Sequence, residues 1–175
     1  MKKISTFIFI LFVGIIFTGC ISDGSDESSI LGALIDKTPE EQKAPEEFSG
    51  EQGEKVVSDN GKLQIEISDI PKGEVRYFNT ELTSGKKIYF FIVKDKNGVL
   101  RAAANACQVC HASKLGFSLS GNSMECKTCG NKYPLEKIST EKGGCNPGPI
   151  NPNLKSKNDI VEITEKELEQ VADLF

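Results

Sequence analysis

The cysteine-rich stretch from Cys107 to Cys145 constrains the fold of this chain more strongly than its other features do. It holds five of the chain's 6 cysteines. Four of them form two C-x-x-C pairs, and a segment of hairpin length separates the pairs. Two such pairs can place four sulfurs around one centre, which is the arrangement that tetrahedral zinc and iron–sulfur clusters require. The stretch therefore predicts a metal centre, and its candidate ligands are Cys107, Cys110, Cys126 and Cys129.

The residues around the two pairs favour such a centre. Gly130 follows the second pair and can adopt a positive φ at little cost, so the backbone can fold under the sulfurs and offer N–H groups to them. The segment from Lys114 to Glu125 has the pattern of a hairpin, with turn residues at 120–123. A hairpin there would bring the two pairs face to face.

Cys145 lies in a Gly-Gly-Cys-Asn-Pro turn after the second pair. The sequence leaves three roles open for it. It can be a fifth or substitute ligand, a thiol that touches the ligands from outside, or an inert buried cysteine.

Three other interpretations of the cysteines compete with an iron–sulfur cluster. An exported chain can oxidise its cysteines to disulfides, and a C-x-x-C pair that does so is typical of a thiol–disulfide oxidoreductase. A structural zinc knuckle uses the same four sulfurs. Covalent haem is the third, because Cys107-Gln-Val-Cys110-His111 matches the haem-attachment pattern, although haem would leave the later cysteines unexplained.

Composition sets the limits of the function. The net charge is −4 and no block of basic residues is present, which argues against nucleic acid as a partner. Trp is absent and several of the 10 Phe lie before residue 20, so we expect the core of the folded part to be small. A small domain of this kind is often stabilised by a bound metal or a cross-link. With 1 histidine, no Gly-rich phosphate loop and no paired carboxylates, the chain resembles an electron-transfer or metal-binding protein more than an enzyme.

The N-terminus has the pattern of a lipoprotein signal over residues 1–20. Lys2 and Lys3 precede an apolar run from Phe7 to Phe17 that is short for a membrane span. Thr18 and Gly19 then precede Cys20, as small residues do in a lipobox. Cleavage before Cys20 would leave its thiol to carry lipid; the alternative is an uncleaved N-terminal anchor. Either way, the sequence predicts a domain on the extracytoplasmic face of the cell membrane.

An acidic segment connects the signal to the domain. Residues 21–55 are rich in acidic side chains and poor in apolar ones, and they include Pro39 and Pro45. That composition is typical of disorder. We therefore predict a tether over 21–55 and a folded domain over 56–175.

The domain itself has the pattern of short antiparallel strands. Leu63, Ile65 and Ile67 alternate with polar residues, as in a half-buried strand. Lys96-Asn97-Gly98 is a hairpin signal between two further strands. The remaining strands are predicted over Val75–Asn79, Lys87–Val93, Val99–Ala104 and Ile160–Ile163.

The end of the chain predicts one irregular segment and one helix. The proline-rich residues 146–152 suggest an irregular, stiff segment. Thr164 and Glu167 form a capping box that opens a terminal helix. The apolar face of this helix is predicted to consist of Leu168, Val171, Ala172 and Phe175.

The motifs around the cysteines resemble two known families. The strand that leads into Cys107, and the Cys126-to-Leu135 loop, are similar to the two ligand loops of Rieske domains, but cysteines replace both ligand histidines. From Val75 to Phe175 the chain resembles the FtrD-like membrane iron–sulfur proteins more closely. The resemblance is carried by the Ala-Cys-x-x-Cys loop, Gly116-Phe117, the Cys-x-x-Cys-Gly knuckle and the Gly-Gly-Cys-Asn-Pro turn.

This resemblance implies a function. It implies an all-β, Rieske-like or zinc-ribbon-like domain that binds an iron–sulfur cluster and serves electron transfer or iron-linked redox chemistry. It also implies a membrane redox or iron-permease partner. A structural zinc-binding interaction module and a thiol–disulfide oxidoreductase remain the alternatives.

Overall fold

The computed structural model of the protein describes residues 47–175. They form three small sheets in which every strand pair except β1–β3 is antiparallel, and a short helix near the C-terminus, which confirms the predicted all-β fold with a short C-terminal helix. In chain order the elements are β1 (Glu54–Lys55), β2 (Lys62–Glu66), β3 (Glu74–Glu81), β4 (Lys87–Lys94), β5 (Leu100–Cys107), β6 (Phe117–Ser120), β7 (Ser123–Cys126), β8 (Lys132–Pro134), β9 (Pro147–Leu154), β10 (Ser156–Lys157), β11 (Ile160–Thr164) and the helix α1 (Glu165–Glu169).

The strands divide into one main sheet and two smaller ones. The main sheet has five strands in the order β1-β3-β4-β5-β9. The second sheet has the order β10-β11-β2, and the third has the order β6-β7-β8. Of the five cysteines within residues 47–175, Cys107 ends β5, Cys126 ends β7, and the other three lie in the loops after β5, after β7 and before β9.

Strand β4 divides the interior into two cores. Its apolar residues are buried on both faces because the strand lies between β3 and β5 and is covered on each side. Successive side chains of a strand point to opposite faces. Phe90 and Ile92 therefore pack with the second sheet and the C-terminal residues, whereas Phe91 and Val93 pack with Phe117 and the third sheet. The second of these cores includes two of the cysteines, Cys107 and Cys126.

All five predicted strands are confirmed. The predicted runs correspond to β2, β3, β4, β5 and β11, with ends that differ by a few residues. The hairpin turn before β5 forms as expected, with Gly98 at φ 83°. The hairpin between the cysteine pairs is β6–β7, and Gly121 in its turn has φ 61°.

The prediction of an irregular segment at residues 146–152 is wrong. This region begins β9, which pairs antiparallel with β5 through a register interrupted by bulges. Proline cannot donate to a sheet ladder and is tolerated on edge strands and at bulges. β9 lies at the edge of the main sheet, so the missing N–H groups of Pro149 and Pro152 do not prevent it from pairing.

The C-terminal helix begins at the predicted capping box. The Thr164 side chain accepts a hydrogen bond from the Glu167 N–H, and the Glu167 side chain accepts one from the Thr164 N–H. The α-helix is short, and a 3-10 turn over Ala172–Leu174 follows it. Leu168 and Val171 are buried in the first core, and the predicted face therefore packs against the second sheet and the edge of the main sheet.

Residues 47–55 belong to the predicted tether, and they contact the domain. Phe48 is buried and stacks on Tyr89, with 4.2 Å between the ring centroids. Glu54 and Lys55 form β1, which pairs with β3. The predicted signal, Cys20 and the first part of the tether lie outside the described residues.

Candidate metal centre

The first cysteine loop begins where β5 ends. β5 delivers Cys107 into the second core, where its side chain is 3% exposed. The chain then turns so that the Cys110 N–H donates to the Cys107 Sγ at 3.2 Å, which is the N–H-to-sulfur contact expected of a ligand turn. A 3-10 turn over His111–Ser113 closes the loop. Val109, between the two cysteines, is 61% exposed.

The second loop connects β7 to β8. Cys126 ends β7 and is 1% exposed, whereas Cys129 lies at the surface. The Gly130 N–H donates to the Cys126 carbonyl at 2.8 Å, and Gly130 has φ 73°, which confirms the conformation expected for this glycine. The Lys127 N–H donates to the Gly116 carbonyl at 3.0 Å. This bond ties the second loop to the start of the third sheet.

The third loop, which leads into β9, places Cys145 beside the first cysteine loop. Cys107 is opposite Pro147 in the register of β5 and β9, so a residue two positions before Pro147 reaches the first loop. Gln108 holds this arrangement together. Its Oε1 accepts from the Gly143 N–H at 2.9 Å, and its backbone N–H donates to the Asn146 carbonyl at 3.0 Å.

Two further contacts join the loops to one another and to the sheet. The hydroxyl groups of Ser113 and Thr128 share a short hydrogen bond, which links the first and second loops. Asn105 is fully buried on β5, and its Oδ1 accepts from the Phe117 N–H at 2.7 Å. A Cβ at Gly116 would approach Asn105 Oδ1 to 2.6 Å, so only glycine fits there.

These loops bring all five predicted cysteines together. The sulfurs form two groups, and within each group every sulfur lies within 4.8 Å of the others. Cys110 belongs to both groups. None of these cysteines is in a disulfide. The first group is Cys107, Cys110 and Cys145, and the second is Cys110, Cys126 and Cys129.

The surroundings of the thiols differ. Burial raises the pKa of the Cys107 thiol and that of the Cys110 thiol. The backbone N–H of Asn131 lowers the pKa of the Cys129 thiol. A metal bound here must therefore displace protons from the Cys107 and Cys110 thiols, since the thiolate is the form that binds metal.

The donor set fits a thiophilic metal. Two sulfurs bound to one tetrahedral ion at about 2.3 Å lie about 3.8 Å apart. This separation is within the 4.8 Å limit that each group satisfies. Soft thiolate donors favour zinc, copper(I) and iron–sulfur clusters over hard cations.

His111 belongs to neither group, although it follows Cys110 directly. Covalent haem requires both cysteines of its attachment pair at the haem edge. Cys107 is instead packed in the second core with Phe117 and Met124. The geometry therefore does not favour the haem interpretation.

Sequence reasoning missed Asn105 and Gln108 as residues that position the loops. Asn105 left a signal, because it is a polar residue within the apolar strand sequence that leads to Cys107. The sequence carries no such signal for Gln108, since its hydrogen-bond partners lie 35 or more residues further along the chain.

The fold and the site together define an all-β domain in which five cysteines form two groups that could hold a metal ion. A family model described as "Membrane iron-sulfur containing protein FtrD-like" matches residues 70–175. The chain therefore belongs to the FtrD-like family, and the match includes all five clustered cysteines. A search of the curated proteins found no match. Within residues 47–175, no helix is long and apolar enough to cross a membrane.

Proposed function

We propose that this protein is a lipid-anchored, extracytoplasmic iron–sulfur protein that acts in electron transfer or as a redox accessory to iron transport. One observation carries the proposal: five thiols from three loops converge in a member of a membrane iron–sulfur family. When bound, an iron–sulfur centre supplies one-electron redox chemistry.

The chain's own residues would hold and shield the centre. Cys107, Cys110, Cys126 and Cys129 are the principal ligands in this proposal, and Cys145 is an additional one. The buried thiols of Cys107 and Cys126 lie in the apolar second core, which keeps water from that side of the centre. Ligation by thiolates alone places more negative charge on the centre than histidine does, so its reduction potential should be below that of a Rieske centre.

The outer side of the centre meets the solvent. Cys129 is exposed, and Val109 is 61% exposed next to Cys110. A redox partner that docks here would come close to the sulfurs without a channel. The partner we propose is a membrane redox protein or an iron permease, on the basis of the family description.

The membrane anchor in this proposal is a lipid on Cys20. Its support is the lipobox pattern in the sequence and the membrane association of the family. The acidic segment after Cys20 would serve as the tether that holds the domain near the membrane surface.

Anaerobic purification of the full chain tests the metal assignment. The measurements are iron, acid-labile sulfide and zinc per chain, with the visible absorption and the EPR spectrum before and after reduction by dithionite. We expect iron and sulfide in comparable amounts, and a visible absorption that bleaches on reduction. Zinc without sulfide in a colourless protein would refute the iron–sulfur proposal.

A structural zinc-binding interaction module is the second candidate. The compact spacing of the sulfurs favours it, because a single tetrahedral ion needs three or four sulfurs this close together. Such a module would bind zinc and no sulfide, and dithionite would leave its spectrum unchanged.

A further inference from the structure

We propose that the cysteine centre binds two metal ions, with the Cys110 sulfur between them. Cys107 and Cys145 complete the ligands of the first ion, and Cys126 and Cys129 complete those of the second. The inference rests on the proposed function only in that the centre binds metal. It adds the number of ions and a role for Cys145.

The grouping of the sulfurs supports two ions. Each group of three is compact enough to share one metal, and only Cys110 is common to both. In a four-iron cluster each cysteine binds a different iron, so its ligand sulfurs are farther apart than sulfurs on one ion. Thiolate sulfur has lone pairs for two metals, so the shared position suits a bridging ligand.

The charge balance points the same way. Five thiolates around one divalent ion would leave a net charge of −3, whereas two divalent ions reduce it to −1. Uncompensated charge is costly at a site that is partly removed from water. A second cation would supply the missing positive charge.

Cys145 is held where the first ion needs it. Gly143 and Gly144 have φ 86° and 63°, a conformation that glycine adopts at little cost. The Gln108 side chain accepts from Gly143 and donates to the Asn146 and Pro147 carbonyls at 3.4 and 3.3 Å. The loop is thus bound on both sides of Cys145, and it presents the thiol to Cys107 and Cys110.

Cobalt(II) titration of the metal-free full chain, without oxygen, tests the inference. Each thiol that binds cobalt releases its proton to the solvent, and the new Co–S bonds absorb in the near ultraviolet. We expect saturation at about two cobalt ions per chain. We also expect an EPR signal weaker than that of two isolated ions, because a shared thiolate couples them magnetically.

Single Cys→Ser variants then assign the ions. Cys145→Ser and Cys126→Ser should each lower the stoichiometry by one ion, and Cys110→Ser should lose both. His111→Gln is the matched control, because it lies beside the centre and belongs to neither sulfur group. It should bind as many ions as the wild type.

Saturation at one cobalt ion in the wild type would overturn the inference. This outcome needs no variant of uncertain folding, since the wild-type stoichiometry alone decides it. The proposed function would stand in that case if iron and sulfide still restore a visible, reducible spectrum. If the chain binds neither cobalt nor iron, both proposals fail.

Discussion

Asn105→Leu should weaken the attachment of the cysteine-bearing hairpin to the main sheet. Asn105 is fully buried, and its amide connects two segments that are distant in sequence. Its Oδ1 accepts from the Phe117 N–H at 2.7 Å, and its Nδ2 donates to the Glu51 carbonyl at 2.8 Å. Leucine has the same number of side-chain heavy atoms as asparagine, with the same branching, and can replace neither bond.

The expected cost follows from the two backbone groups that lose a partner. A buried group left without a hydrogen bond costs about 1–3 kcal/mol. The Phe117 N–H is enclosed by the second core and should lie in the upper part of that range. The Glu51 carbonyl belongs to an exposed residue and can recover a bond to water. We therefore expect the free energy of unfolding to fall by about 2–4 kcal/mol.

Urea unfolding of the full chain measures this loss, and Asn79→Leu is the matched control. Asn79 also donates to the segment before β1, to the Gln52 and Gly53 carbonyls at 3.0 and 3.2 Å, but it is only partly buried. Its replacement should cost less than about 1.5 kcal/mol. Equal losses in the two variants would refute the argument that burial of the Asn105 amide holds the hairpin.

One further prediction concerns the lipid anchor, and three concern the metal centre. Cys20→Ala should abolish labelling of the chain by radioactive fatty acid, and unchanged labelling would contradict lipidation. Gln108→Ala should lower cobalt affinity and should cost no more than about 1.5 kcal/mol in stability. The control Gln64→Ala, at an exposed position, should change neither quantity. Equal cobalt affinity in Gln108→Ala and the wild type would show that Gln108 does not position Cys145. Removal of metal by a chelator should speed hydrogen exchange in β6–β8. Strands β3 and β4 should stay protected, because they also pack in the first core, which contains no cysteine. Faster exchange in all of these strands would contradict this prediction. Burial raises the pKa of the Cys107 and Cys110 thiols, so protons should compete with cobalt, and cobalt affinity should continue to rise above about pH 9.5, where an ordinary thiol is already largely deprotonated. A plateau of the affinity below that pH would contradict the shift.

Local patterns made much of the fold predictable. The alternation at Leu63, Ile65 and Ile67, the turn at Gly98 and the capping box at Thr164 each depend on neighbouring residues alone. The β6–β7 hairpin was predictable for the same reason, since its turn cluster lies between the strands that it connects.

Pairing between distant segments was not predictable. Strand β9 was not predicted because it contains prolines, which are tolerated in a strand at the edge of a sheet. Only the assembled sheet shows that β9 lies at such an edge. The position of Cys145 depends on this pairing, since it follows from Pro147 lying opposite Cys107. The sequence therefore identified Cys145 as a candidate and left its role open.

The arrangement of the two cores explains how one small domain can combine a stable scaffold with a candidate metal site. The first core contains no cysteine and joins the main sheet to the second sheet and the C-terminal residues. The second core contains Cys107 and Cys126, and it lies across the same strands, β4 and β5. The scaffold can therefore hold the ends of the cysteine loops in place before metal binds, so that less of the binding free energy is needed to order the chain. Such a frame would also limit movement of the ligands when the centre changes its charge, which is what electron transfer at this site would require.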